Sequence, residues 1–201
     1  MLVKEMFSKK IRHIIYVFLI LFSFKISLAD QNKEKSEIIN YLKSLKNLSV
    51  SFVQDDGANV SEGLIFLGKE RVRVEYKSPS KILIIFGKDK AMYYNYDLDE
   101  DEFFNPKDTS AWYFYEIFKN NDFLEESNVY MENQSILVEK KGSFNEDDYV
   151  LKIYFEDNPL IIRKIELFSG DIYTSLSFFN HINEVIFDKS YFKLINPSFF
   201  D

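Results

Sequence analysis

The sequence predicts a mainly β protein of the α+β class, one antiparallel sheet accompanied by two or three short helices. Three observations predict it. Val50, Phe52 and Gln54 alternate with smaller or polar residues, and Val72, Val74 and Tyr76 alternate with Arg71, Arg73 and Glu75. This period of two belongs to a half-buried strand. Turn signals then punctuate the stretch from Ser51 to Asp99: Asp56-Gly57, Gly68-Lys69, Ser78-Pro79-Ser80 and Gly87-Lys88-Asp89. Finally, aromatic residues make up 17% of the chain, and Phe and Tyr are good strand formers on a half-buried sheet. The same aromatic content also suits a curved sheet that encloses an apolar cavity.

At the N-terminus, Lys4, Lys9, Lys10 and Arg12 precede an apolar run from Ile14 to Phe24, and Ser27 and Ala29 put small residues where a signal peptidase cuts. The apolar run stops at Lys25, short of the roughly 20 residues of a membrane span. Residues 1–29 therefore read as a cleaved signal peptide, and residues 30–201 as a single domain. Ser36 caps an expected helix from Glu37, whose Ile38, Ile39, Leu42 and Leu45, with Tyr41, form one apolar stripe. From Leu48 to Tyr96 the period is two, a meander of four or five strands. Gly63 inside it marks a bulge or sharp bend. Asp97 to Glu102 is expected as an acidic loop and Phe103 to Pro106 as a strand end. Thr109 or Ser110 caps a second helix carrying Ala111, Trp112, Phe114, Tyr115, Ile117 and Phe118, apolar nearly all round. Such a helix lies in a core or over an apolar cavity. Strands are expected over Asn128–Lys140, Tyr149–Glu156, Leu160–Phe168 and Ile172–His181, with a polar connection from Lys141 to Asp148. Asn183–Phe187 and Phe192–Phe200 are expected as further strands.

Composition excludes several functions. The chain holds 25 Lys and Arg against 32 Asp and Glu; without residues 1–29 these fall to 20 and 31, a net charge of −11. An acidic chain without a basic tract is a poor partner for nucleic acid, whose binding rests on cation contacts. There is no cysteine, hence no disulfide, thiol chemistry or cysteine metal site. After loss of His13, His181 is the sole imidazole. No G-x-S-x-G elbow and no glycine-rich phosphate loop occurs. The run DLDEDE lacks the glycine and spacing of a calcium loop. An enzyme, a cofactor and a metal are not expected, although a pair of carboxylates stays compatible with the spacing alone.

One set of cues runs the length of the expected mature chain in order: Phe52-x-Gln54, Gly63, a basic turn, Arg73-Val-Glu-Tyr76, Pro79, Ile82 to Phe86, Asp89 and Tyr96-Asp97-x-Asp99. It continues with Ser169-Gly170, Phe178-Phe179 and Phe192-Lys-Leu-Ile-Asn-Pro197. This series resembles the LolA family of periplasmic outer-membrane lipoprotein carriers of Gram-negative bacteria. The resemblance implies a strongly curved antiparallel sheet forming an unclosed half-barrel, with short helices covering its concave apolar face. It implies a periplasmic monomer that receives lipoproteins from an inner-membrane ABC transporter, shields their acyl chains and delivers them to an outer-membrane receptor. The alternative is a related half-barrel that senses or binds lipid without ferrying it. Leu42, Phe52, Phe66, Val72, Val74, Ile84, Phe86, Trp112, Phe114 and Phe118 would then contact cargo. The family's basic turn is Lys-Arg-Pro, its arginine bonded to carbonyls of the helical lid. Here the turn reads Gly68-Lys69-Glu70-Arg71, shorter and without the proline. Lys69, with Arg71 as substitute, is the implied latch, and a lysine lacks the arginine fork. Alternation alone would leave Arg71 and Arg73 on a solvated strand face.

Overall fold

A computed structural model describes residues 33–200 apart from 121 and 133. The signal peptide expected over 1–29 lies outside the described residues. The chain divides into two compact units, Met1–Glu37 and Ile38–Asp201. Helix α1 covers 33–44, and the residues from Ile38 onward belong to the second unit, which holds the sheet. The helix starts earlier than the Ser36 cap predicts, and Lys33 faces Glu37 at 3.9 Å one turn on, an i,i+4 pair that supports the additional turn. Ile38, Leu42 and Leu45 are buried in the core, as the apolar stripe requires.

Among the described residues eleven strands form one antiparallel sheet: β1 (Leu48–Asp55), β2 (Val60–Leu67), β3 (Val72–Ser78), β4 (Ile82–Phe86), β5 (Ala91–Asn95), β6 (Glu100–Phe104), β7 (Asn128–Glu132), β8 (Ser135–Phe144), β9 (Asp147–Glu156), β10 (Ile161–Ser169) and β11 (Ile172–Ile182). Their order is β6-β5-β4-β3-β2-β1-β11-β10-β9-β8-β7. Two meanders are thus joined where β1 pairs with β11, and β6 and β7 remain as edges. The sheet is an unclosed half-barrel. Between its edges the chain passes through a 3-10 turn (Pro106–Asp108) and helix α2 (Ala111–Lys119).

Bulges bend the sheet, because an extra residue raises local twist. The pairing slips between Glu62 and Gly63 against β3, at the glycine the sequence singles out. It slips again at Ile162/Lys164 against β9, where the freed amide of Ile162 donates to the Tyr41 hydroxyl of α1 at 3.1 Å. A side chain from the helix thereby satisfies a backbone donor that the ladder leaves.

Four expectations need correction. Only the first half of the acidic run is a turn, over Asp97 to Asp99; Glu100, Asp101 and Glu102 sit on the edge strand β6 and are exposed. Charge on an edge reaches water on either face and discourages pairing with another chain. Asn128–Lys140 is two strands, turned at Gln134 (φ 67). The polar connection Lys141–Asp148 is mostly ladder, closed by the two-residue turn Asn145-Glu146 with φ of 52 and 73; both values are left-handed, as a type I′ hairpin needs. Lastly, residues 183–200 contain no strand and end in a 3-10 turn (Pro197–Phe200).

That tail lies on the outer face of the sheet, and its carbonyls find arginines instead of a ladder. Arg71 Nη1 donates to Phe192 O at 2.8 Å and Arg73 Nη1 to Tyr191 O at 2.9 Å. Arg73 also pairs with Glu75 at 2.6 Å and lies 4.3 Å from the Tyr191 ring centroid. Leu194 packs on Leu83, Ile85, Met92 and Tyr94. Arg73 is the centre of this attachment. Arg73→Ala is expected to lower stability by about 2 kcal/mol, the scale of hydrogen bonds to a charged group, and to speed tryptic cleavage at Lys189 and Lys193. Urea denaturation and limited proteolysis check it; unchanged cleavage means Arg71 and the aromatic contacts hold the tail alone.

Candidate functional site

The concave face and helix α2 enclose an apolar cavity of about 240 Å³. Strand alternation builds the wall: Val72, Val74 and Tyr76 turn inward from β3, with Ile65 from β2, Ile84 and Phe86 from β4 and Leu176 from β11. Helix α2 contributes Ala111, Phe114 and Phe118. Polar groups gather in a small part of the lining: Gln54, Tyr76, Thr109, Ser110 and Thr174. Thr109 and Ser110 are exposed and mark the mouth. The Tyr76 hydroxyl donates to Gln54 Oε1 at 2.7 Å, and burial pushes its pKa up to about 12. It is a neutral, satisfied group in an apolar wall.

Helix α2 is fixed at both ends. Thr109 Oγ1 accepts from the Ala111 amide at 3.3 Å and its hydroxyl donates to Pro106 O, so the cap bond comes from Thr109 while Ser110 makes none. The preceding turn is held by Lys107 Nζ to Asp89 Oδ1 at 2.7 Å and by Asn145 Nδ2 to Lys107 O at 2.9 Å. These bonds reach one limb of the half-barrel at the β4–β5 turn and the other at the β8–β9 turn. Along the helix, Trp112 stacks on Phe144 with centroids 3.8 Å apart, and Tyr113 and Ile117 enter the core. At the far end Lys119 Nζ donates to Gly68 O at 2.5 Å.

Of the residues expected to contact cargo, six come together in this lining: Val72, Val74, Ile84, Phe86, Phe114 and Phe118. Leu42 instead lines a crevice beside Ile117 and Phe118, between α1 and α2. Phe52 is fully buried and packs edge-on against Tyr76, and Trp112 is occupied by Phe144. Phe66 points to the outer face, edge-on to Phe187 and Tyr191 of the tail. The implied latch is placed differently too. Lys69 is exposed in its turn, and Arg71 shares the outward parity of Arg73, so its guanidinium reaches the tail and not the helix. The link between helix and turn runs in the opposite sense, from the Lys119 ammonium to the turn carbonyl. Sequence reasoning missed Lys119; its one signal is a cation at the end of a nearly all-apolar helix, where it also suits the helix dipole.

Burial draws Lys119 down to about 8 from lysine's ordinary 10.5. Between those two values the unfolded chain binds more protons than the folded one, so this group makes stability rise with pH across that window. The gain is present above 10.5 and lost as pH falls through 8. At about 1.4 kcal/mol per unit, wild type should gain roughly 3 kcal/mol relative to Lys119→Met between those limits. Paired urea titrations check this, because the tyrosines titrate alike in both proteins. A flat difference would mean a solvated amine.

His181 lies outside the cavity lining. Burial holds its imidazole below the ordinary histidine range, and its buried Nε2 has no hydrogen-bond partner among the described residues. Among the described residues no group of His, Cys, Asp and Glu is placed to hold a metal ion. The cavity can enclose apolar matter and orient one polar end; it presents no assembled acid–base pair.

No family model matches the chain. A protein of Rickettsia prowazekii (strain Madrid E), described only as uncharacterized, is 26% identical over 183 residues that span 86% of this chain and 81% of that one. Among solved structures, an uncharacterized conserved protein from Thermus thermophilus has a TM-score of 0.51 at 8% identity, over 80% of this chain and 91% of that chain. That likeness shows the fold alone. Pseudomonas aeruginosa MucB, solved in complex with MucA, has a TM-score of 0.48 at 11% identity, and the match spans 80% of this chain and 60% of that chain.

Proposed function

We propose that this protein is a non-enzymatic binding module that shields acyl chains inside its half-barrel. In line with the LolA resemblance, it would carry lipoproteins through the periplasm, taking them from an inner-membrane ABC transporter and yielding them to an outer-membrane receptor. The observation that carries the reading is the apolar cavity between the concave face and α2. Moving a methylene from water into such surroundings gains about 0.8 kcal/mol, so a chain of a dozen or more carbons supplies a large driving force. The size of the cavity adds a condition. At about 240 Å³ it falls below the roughly 300–1,000 Å³ of ordinary ligand sites. It admits part of one chain, and a multiply acylated cargo requires α2 to lift. The contacts that must then yield are Lys119 to Gly68 and the stack of Trp112 on Phe144.

The same small volume favours, as a second reading, a sensor or lipid-binding module that takes a single chain and ferries nothing. One experiment separates the two. Spheroplasts carrying labelled lipoproteins are incubated with the mature chain, Asp30 to Asp201, and the medium is assayed for soluble complexes. ATP-dependent release as one-to-one complexes is the expected result. Absence of release with the native transporter present overturns carriage and leaves the single-chain module.

A further inference from the structure

A smaller space adjoins the mouth of the apolar cavity. It holds about 110 Å³, several times the roughly 10–15 Å³ that admits one water. Thr109 and Ser110 line both spaces; of the helix that follows, Ala111 and Phe114 face the larger and Tyr113 the smaller. The sheet beneath them is continuous. Ile172 lines the smaller space, Thr174 and Leu176 the larger, and residues two apart on a strand share a face. Leu167 and Ser169, also in the smaller lining, pair across to Thr174 and Ile172. Both spaces therefore lie on the concave face, and a chain that leaves the apolar cavity at Thr109 and Ser110 reaches the smaller one.

Its charged acceptors outnumber its available cations. Asp108 and Asp147 line it, both exposed, and neither carboxylate forms an ion pair among the described residues. The one cation of the lining, Lys107, gives its ammonium to Asp89 at 2.7 Å. The first turn of α2 keeps its amides engaged: Ala111 N–H donates to Thr109 Oγ1, Trp112 N–H to Thr109 O and Tyr113 N–H to Ser110 O. An anion would find two carboxylates here and little to bind it. A buried hydroxyl points independently to a missing partner. Tyr113 is 5% exposed, yet its hydroxyl meets only Ser169 Oγ, at 3.4 Å, beyond the roughly 2.5–3.0 Å of a good hydroxyl hydrogen bond. A buried polar group so placed gains when a ligand completes its bonding.

We propose that this space is the subsite for the polar end of an acyl ligand, and that the group it takes is an ammonium. Asp108 and Asp147 hold the cation through charge-assisted hydrogen bonds, the Tyr113 and Ser169 hydroxyls accept from it, and the chain passes Thr109 and Ser110 into the apolar cavity. The proposal rests on the acyl-binding reading of that cavity, and its test tells the two apart.

Calorimetric titrations of the mature chain would use dodecylammonium, laurate and the uncharged monolauroylglycerol, each kept below its micelle concentration. Wild type should bind dodecylammonium about tenfold or more tightly than either of the others. In Asp108→Asn/Asp147→Asn that preference over monolauroylglycerol should fall to about unity; both side chains are exposed and the amides match them in size, so the variant keeps its core. Glu100→Gln/Glu102→Gln removes the same charge from the exposed edge of β6 and should leave the preference in place. Of two further probes, a twelve-carbon lyso-ethanolamine phospholipid and an S-dodecylcysteinyl peptide with a free α-amine, the tighter binder identifies whether the ammonium comes from a lipid headgroup or a polypeptide terminus. Equal affinity of wild type for the first three amphiphiles, or tightest binding of laurate, overturns the ammonium subsite while upholding acyl binding. A preference that survives the aspartate substitutions, or falls equally in the β6 variant, also overturns it, since the acidic surface as a whole would then be the attraction. Failure of all three to bind removes the acyl reading itself, and the subsite with it.

Discussion

Gly63→Ala is expected to remove at least about 4 kcal/mol of folding stability, a loss large enough to need a specific cause. The cause is backbone. A Cβ at this position would stand 2.1 Å from Glu75 O, 2.9 Å from Glu75 C and 2.9 Å from Phe52 Cε1. The Phe52 ring is fully buried and cannot retreat, and Glu75 O belongs to β3 next to the slip in pairing at Glu62/Gly63. Relief requires β3 to move away from β2, which carries Val72 and Val74 off the core. Each kcal/mol lowers the melting temperature of a domain this size by about 2–4 °C, so a fall of roughly 8–16 °C should be seen in a thermal scan of the mature chain. Gly68→Ala provides the contrast. There the three atoms nearest the new Cβ all belong to the Phe192 ring, at 2.8 to 3.0 Å, and that side chain belongs to the tail on the sheet surface. It can shift, so the loss should be at most about half as large. If the two substitutions prove equally mild, β3 is free to step back and the bend does not depend on Gly63.

Ala111→Trp is expected to weaken acyl binding at least tenfold without lowering the melting temperature. Ala111 is half-buried in the first turn of α2 and lines the cavity. An indole there occupies the space a chain would take. It also supplies contacts to a lining that lacks them, which compensates the strain of insertion; filling a cavity commonly stabilises. The measurement is displacement of a fluorescent alkyl probe from wild type and variant, alongside thermal denaturation. Unchanged affinity in a folded variant places acyl binding elsewhere on the molecule. A folded variant that loses probe binding ties it to this cavity, whichever cargo the protein serves.

Much of the architecture is legible in the residues alone. Alternation in β1 and β3, the apolar run of β4, the apolar stripe of α1, and the nearly all-apolar α2 each follow from side-chain period and burial, which are local properties of the chain. Val72, Val74, Ile84 and Phe86 share one face by strand parity, and Phe114 and Phe118 share one helix face by their i, i+4 spacing. The misses share a different origin. β6 is hidden because its carboxylates lie on an edge, and edge position depends on which strands pair. The β8–β9 turn is hidden because Asn145-Glu146 reaches left-handed φ without a glycine. Phe66 has the composition of a cavity residue, but strand pairing turns it to the face that the tail covers.

Residue patterning is enough to settle the class of the fold, the bend at Gly63, the inward parity of β3 and the apolar character of the helix laid over it. These depend on neighbours in the chain and on the partition of side chains between water and core. Where the cations go is settled by long-range folding instead. Arg71 and Arg73 reach carbonyls more than a hundred residues distant, at Phe192 and Tyr191. Lys119 crosses from α2 to Gly68. A flexible cationic side chain carries no period that reveals its partner, so its role is set by whichever acceptor or open space the folded chain brings within reach.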